Sequence, residues 1–216
     1  MKVVALIPIK LNSERVPHKN ILPLGKKSLC YYLPNELTKV KAIDDIYVYC
    51  SDEKVMEYLP KNVKFLKRDK KLDGNLVKGK EIYDAFISEI EADIYILAHT
   101  TSPFTKAKTV ENALNKVIFS EYDSAFSAQK IQTFAWFNGE TINYNLNDIP
   151  RTQDIEPVYV ETSAFFIFKK ELWTKYKRRI GFKPYIQEVD EIEAIEIDTK
   201  EQYEFAKIIA NNILKI

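Results

Sequence analysis

Short apolar runs alternate with helical patterns along most of this chain, and that alternation constrains the fold more than any other feature. The first run, VVALIPI over Val3–Ile9, is apolar without a break, as a strand covered on both faces must be. IYVYC (Ile46–Cys50), Val63–Leu66, Ile94–Ala98 and Asp123–Ala128 repeat the strand signal. Helical patterns lie between them. Ser28–Val40 reads as a helix capped by Ser28 and broken or kinked at Pro34, and a helix over Glu53–Leu59 starts at the pair Ser51-Asp52. Gly79–Glu91 carries Ile82, Ala85, Phe86 and Ile90 on one stripe, and Lys106–Phe119 carries Val110, Ala113, Leu114 and Val117. Strand, loop and helix in repetition predict an α/β domain with a mostly parallel sheet and right-handed crossovers.

The rhythm changes after residue 130. Phe134–Tyr144 places Asn138-Gly139 between β-prone runs, a hairpin signal, and residues 145–161 read as an extended Asn-, Asp- and Pro-rich excursion. Ala164–Phe168 returns to the core, Ala194–Ile197 reads as a last strand, and Lys200–Ile213 as an amphipathic helix with Tyr203, Ala206, Ile209 and Ile213 on its stripe. The expectation is one domain over residues 1–216, with a small β-rich insertion at about 131–161. A chain of 216 residues suffices for one such core.

Composition excludes several function classes. A formal net charge of +1 gives no global field for nucleic acid or a membrane surface. No apolar run approaches the roughly 20 residues that span a bilayer, and Met1-Lys2 leads straight into a strand pattern rather than a secretory leader. Cys30 and Cys50 form no metal motif. The expected compartment is the reducing cytoplasm.

In open parallel sheets, ligands bind beyond the carboxyl ends of the strands, and the polar residues of this chain gather there. The first strand is followed by Lys10, Asn12, Ser13, Arg15, Lys19 and Asn20. Arg68 follows the third, and His99, Thr100, Thr101 and Ser102 follow the fourth. Glu196 and Asp198 close the run read as the last strand. Cations at one end and carboxylates at the other divide the work of a metal–nucleotide site: Lys and Arg neutralise phosphate oxygens, and carboxylates hold Mg2+. Singly, each has a plainer reading. The first loop is a solvated connector, Glu196 and Asp198 alternate with core residues, Asp198 caps the final helix, and His99 is a satisfied sheet-end histidine. There is no GxGxxG after the first strand, no GxxxxGK[ST] and no Gly-x-Ser-x-Gly.

The blocks IPIKLNSERVPHKN, YVYCSDEKV, LAHTTSPF and VETSAFFIF with IEIDTKEQYEFA resemble, in order and spacing, those of the CMP-sialic acid synthetases (acylneuraminate cytidylyltransferases). The resemblance implies a Rossmann-like three-layer α/β/α nucleotidyltransferase fold and transfer of CMP from CTP to a sialic-acid-like 2-keto acid sugar, with Mg2+. It places Lys10, Asn12, Ser13, Arg15 and Lys19 along the triphosphate, and Asn20 and Arg68 near the nucleoside. Asp198 and Glu196 fall on the metal aspartates, and Lys10, Lys19 and Asp198 would carry catalysis. His99, Thr101, Ser102, Arg151, Gln153, Tyr159 and Thr162 fall in the acceptor-binding and dimer-forming blocks, so the expected partners are CTP, an acidic keto sugar and a second copy of the chain. The chain departs from the family pattern at Glu14 (lysine), His99 (glutamine), Thr100 (proline), Thr162-Ser163 (Asn-Gly) and Glu196 (aspartate). Those departures leave 3-deoxy-manno-octulosonate or another nonulosonate open as acceptor, and also a catalytically weak binding member.

Overall fold

The computed structural model describes all of residues 1–216. Its core is a seven-stranded sheet: β1 (Val3–Pro8), β2 (Asp45–Cys50), β3 (Lys64–Lys67), β4 (Ile94–Ala98), β5 (Ser124–Ile131), β6 (Val158–Lys169) and β7 (Pro184–Val189), in spatial order β7-β5-β6-β4-β1-β2-β3. Only β6 runs antiparallel, pairing with β4 and β5; every other pairing is parallel. The helices are α1 (Tyr32–Leu37), α2 (Gly79–Glu89), α3 (Ala107–Phe119), α4 (Lys170–Tyr176) and α5 (Lys200–Ile208).

β1 shows why its run is apolar without a break. Val3, Ala5 and Ile7 pack into a core with Val110, Ala113, Leu114 and Val117 of α3. The alternate residues Val4 and Leu6 pack into a second core with Phe86 of α2 and Leu172 and Trp173 of α4. Successive side chains point to opposite faces, so a strand with helices above and below has no polar position. A third cluster joins Tyr203, Ala206 and Ile209 to Leu24 and Leu29. No helix is long and apolar enough to cross a membrane.

Several local expectations are corrected. Ala194–Ile197 is not a strand. Its one ladder-like bond is Ile197 N–H to the Thr101 carbonyl at 2.8 Å, and the edge position belongs to Pro184–Val189, parallel to β5. That strand is half-exposed, so its sequence lacks the apolar density that marks the central strands. The helix read over Ser28–Val40 is a 3-10 turn, Leu29–Tyr31, followed by α1. Pro34 sits in the first turn of α1, where no intrahelical amide bond is lost, and Ser28 makes no side-chain cap. Glu53–Tyr58 is 3-10 rather than α, capped by Asp52, which accepts the Lys54 N–H at 3.0 Å. α4 lies in a segment that carried no expectation. Beyond β5 the chain forms the hairpin Trp136–Phe137/Glu140–Thr141, turning through Asn138 and Gly139 at φ 52° and 83°. Both turn residues are left-handed, as a tight two-residue hairpin requires. The excursion then rejoins the sheet at Val158.

A candidate nucleotide and acceptor cleft

The sheet switches direction of travel at β1, which pairs with β2 on one side and β4 on the other. At the carboxyl ends of these strands lies a cleft of about 400 Å³. Lys10, Asn12, Ser13, Arg15 and Lys19 from the first loop line it, with Arg68 after β3 and His99 after β4. It is the crevice where open α/β sheets bind ligands.

The first loop is shaped by its own backbone. His18 adopts φ 56°, ψ 23° and turns the chain into the 3-10 turn Lys19–Ile21, which carries Lys19 and Asn20 inward. Lys19 is buried, and its ammonium donates to the Ile197 carbonyl at 2.7 Å and to Asp198 Oδ1 at 3.0 Å. Arg15, exposed to solvent, reaches the same Oδ1 at 2.9 Å. One carboxylate oxygen thus fixes two cations beside the cleft. Burial would raise the Asp198 pKa, but the Lys19 hydrogen bond and the charges of Lys19 and Arg15 outweigh it and hold the group below its usual value. Glu196 behaves oppositely: burial first, then the charge of Asp198, pushes it up. No cluster of three metal-type side chains exists in the chain. The donor set present, two neighbouring carboxylates of which one is poorly compensated, suits a hard cation that takes its remaining ligands from phosphate and water.

Asn20 lies behind the cleft. Its amide donates to the Lys10 carbonyl at 2.8 Å and its oxygen accepts from Thr100 at 2.7 Å, so it pins the first loop to the loop after β4. Thr100, where the family pattern has proline, supplies that hydroxyl. Arg68 is 2% exposed and donates to Asp73 at 3.1 and 2.5 Å from the 3-10 turn Lys70–Asp73. Beside it, Leu72, Val77 and Ile82 give the cleft an apolar wall. Lys10 donates to Asn75 at 2.7 Å, and Asn75 donates in turn to Glu14, which joins the two rims of the cleft.

The acceptor-side residues are built differently. His99 Nδ1 lies 2.6 Å from the Ser163 carbonyl. That carbonyl only accepts, so Nδ1 carries the proton and Nε2 keeps a lone pair. Burial is the main force holding its pKa below the usual value. Ser163 has φ 55°, beside an irregularity in the β6–β5 ladder between Glu161 and Phe166. Thr162 and Ser102 are buried: Thr162 bonds to Ser127 Oγ at 2.8 Å, and Ser102 lies 3.4 Å from the Thr162 carbonyl. Thr101 contributes its carbonyl to Ile197.

Asn20, Thr101, Ser102, Thr162, Glu196 and Asp198 do not line the cleft themselves, and Arg151, Gln153 and Tyr159 stand apart from it. Arg151 pairs with Asp154 at 2.7 Å on the exposed excursion, Gln153 is exposed beside it, and Tyr159 donates to Glu188 of β7 at 2.8 Å. Conversely, Tyr83 and Asn75 line the cleft unannounced. Tyr83 is masked by the apolar stripe of α2 beside it, and Asn75 sits in the D-G-N turn that ends the Arg68 loop.

The sequence matches the cytidylyltransferase family over residues 4–215. A pseudaminic acid cytidylyltransferase of Campylobacter jejuni is 26% identical over 227 residues, covering 97% of this chain and 96% of that protein. An N-acylneuraminate cytidylyltransferase of Streptococcus agalactiae is 22% identical over 214 residues, covering 94% of this chain; the chain spans 52% of that relative's length. Among solved structures, a CMP:2-keto-3-deoxy-manno-octonic acid synthetase complexed with CTP shares the fold, with a TM-score of 0.72 at 15% identity over 97% of this chain and 98% of that one. With the family match running from β1 to the C-terminal turns, and the cleft of this sheet lined by the cations described, the chain belongs to the cytidylyltransferase family.

Proposed function

We propose that this protein transfers CMP from CTP to the anomeric hydroxyl of a sialic-acid-like 2-keto acid sugar and releases pyrophosphate. The observation that carries the reading is Asp198 holding together Lys19 and Arg15, two cations that line the switch-point cleft. Phosphoryl transfer asks for positioning and charge neutralisation more than for covalent help. Lys10, Arg15 and Lys19 line the cleft and would neutralise a triphosphate and the departing pyrophosphate. Arg68, rigid on Asp73 and flanked by apolar residues, suits the polar edge of a base whose faces need an apolar wall. Asp198 and Glu196 would hold Mg2+, which supplies charge neutralisation on phosphate oxygens and acidifies the attacking hydroxyl.

His99, with Nδ1 held on Ser163, keeps Nε2 as an acceptor for an acceptor-sugar hydroxyl. The exposed apolar residues Trp136, Phe137, Ile142, Leu146 and Ile149 of the insertion support a homodimer formed through that segment. Pyrophosphate release from CTP, measured across a panel of keto-acid sugars with and without Mg2+, tests the activity. The expected result is Mg2+-dependent release with at least one nonulosonate. CTP binding with no release for any acid would overturn it.

A further inference from the structure

A second cavity, of about 510 Å³, adjoins the cleft, and Tyr83 lines both. Its wall is unusually cationic: Lys80, Lys177, Arg178 and Arg179, together with Trp173. Lys177 pairs with Asp84 at 2.5 Å. Arg178 donates to the carbonyls of Ile180 and Gly181, at 2.9 and 3.2 Å, and lies over Phe182. Arg179 differs from Lys177 and Arg178. Its guanidinium lies on the Phe166 ring, 3.7 Å from the centroid, and its one carboxylate neighbour, Glu161, is exposed and 3.9 Å away, at the limit of an ion pair.

Phe166 in turn stands edge-on to His99, with centroids 6.3 Å apart. The position of Arg179 is felt on both sides of the cleft wall. Burial raises the Tyr83 hydroxyl pKa while Arg179 works to lower it, and burial lowers His99 with Arg179 adding to the effect. So a half-exposed cation seated over Phe166 lines the cavity beside the cleft, with one ring between it and His99.

A guanidinium seated over a ring face still has outward N–H groups, and its planar fork recognises a carboxylate with two parallel bonds. We propose that Arg179 receives the carboxylate of the acidic acceptor, making the wall between β6 and α2 the subsite that selects 2-keto acids over neutral sugars. This rests on the proposed transfer to an acidic sugar, and it assigns a residue outside the blocks that resemble the family.

The test is steady-state kinetics on the full chain with the panel nonulosonate that turns over best, for example N-acetylneuraminate, and with its methyl ester. Arg179→Gln should raise the KM for the acid about 10- to 100-fold, the scale of one charge-assisted bidentate contact, with the KM for CTP unchanged. The ester should be equally poor for both proteins, and Arg179→Lys should recover part of the loss. Arg179→Met, which keeps the stem on Phe166, separates charge from packing and should behave like the glutamine variant. An unchanged KM for the acid, a raised KM for CTP, or equal losses on acid and ester would each overturn the assignment. If no acid is turned over at all, the proposed activity falls instead. Calorimetric titration of N-acetylneuraminate into wild type and Arg179→Gln then reads the subsite alone, and equal affinity would refute it.

Discussion

The two ends of the cleft solve positioning by different physics. The phosphate end is ionic: one oxygen of Asp198 fixes Lys19 and Arg15, and Asp73 fixes Arg68. At the end proposed for the acceptor the residues around His99 are positioned by hydroxyls and backbone, with the cation of Arg179 beyond Phe166: Thr162, Ser102 and Ser127 share hydroxyl bonds, and His99 hangs on the carbonyl of a left-handed Ser163. Ionic fixing suits a ligand whose charge does not vary. Hydroxyl networks and backbone bulges are easier to remodel, and none of the five departures from the family pattern is a member of those ion pairs.

The largest effect should come from Asp198→Asn, which removes the shared charge. We expect kcat to fall about 100-fold or more, the scale of losing one electrostatic stabiliser, with circular dichroism unchanged. Near-wild-type turnover would end the idea that this end is organised around one carboxylate. Lys19→Met keeps most of the buried stem and should raise the KM for CTP about tenfold, the worth of one charged contact. If it raised the KM for the acceptor instead, the division into two ends would be misdrawn.

Ser163 tests the hydroxyl-bonded end through stability. A non-glycine residue at φ 55° carries strain, so Ser163→Val should destabilise by about 1–3 kcal/mol while Ser163→Gly is neutral or stabilising by up to about 1 kcal/mol, read from urea midpoints. Equal effects for the two would remove strain from the account. The smallest effect concerns His99. Its folded pKa lies below the ordinary 6.5, so as pH falls through that value the unfolded chain takes a proton that the folded chain refuses. Stability should therefore decline from pH 7.5 to 5.5, and His99→Gln should flatten part of that slope. Identical slopes would mean the imidazole is not desolvated.

The ionic end was also the more legible in sequence. Val3–Ile9 announced a doubly covered strand, so the cations after it had a known address, and Lys19 and Asp198 were found together although 179 residues separate them. The false strand at Ala194–Ile197 did not mislead the site, because Ile197 holds its place through a single bond to Thr101. Edge strand β7 and helix α4 were missed for a shared reason: half-exposed elements carry diluted periodicity. Arg179 escaped notice because its role depends on Phe166, a core residue whose outer ring face no local pattern reveals. Arg151 and Gln153 had a motif but no contact with the cleft in a single subunit.

The bond from Lys19 to Ile197 closes 178 residues of chain. All seven strands are complete by Val189, so in a chain growing from its N-terminus the sheet can form before the carbonyl and carboxylate that receive the Lys19 ammonium have been made. Until they arrive, a buried cation waits without its partners, and closing so long a loop is a late step. Formation of the sheet and assembly of this end can therefore be separated in time. A protein arrested between Val189 and Ile197 would show a native sheet by circular dichroism and no ordered phosphate end.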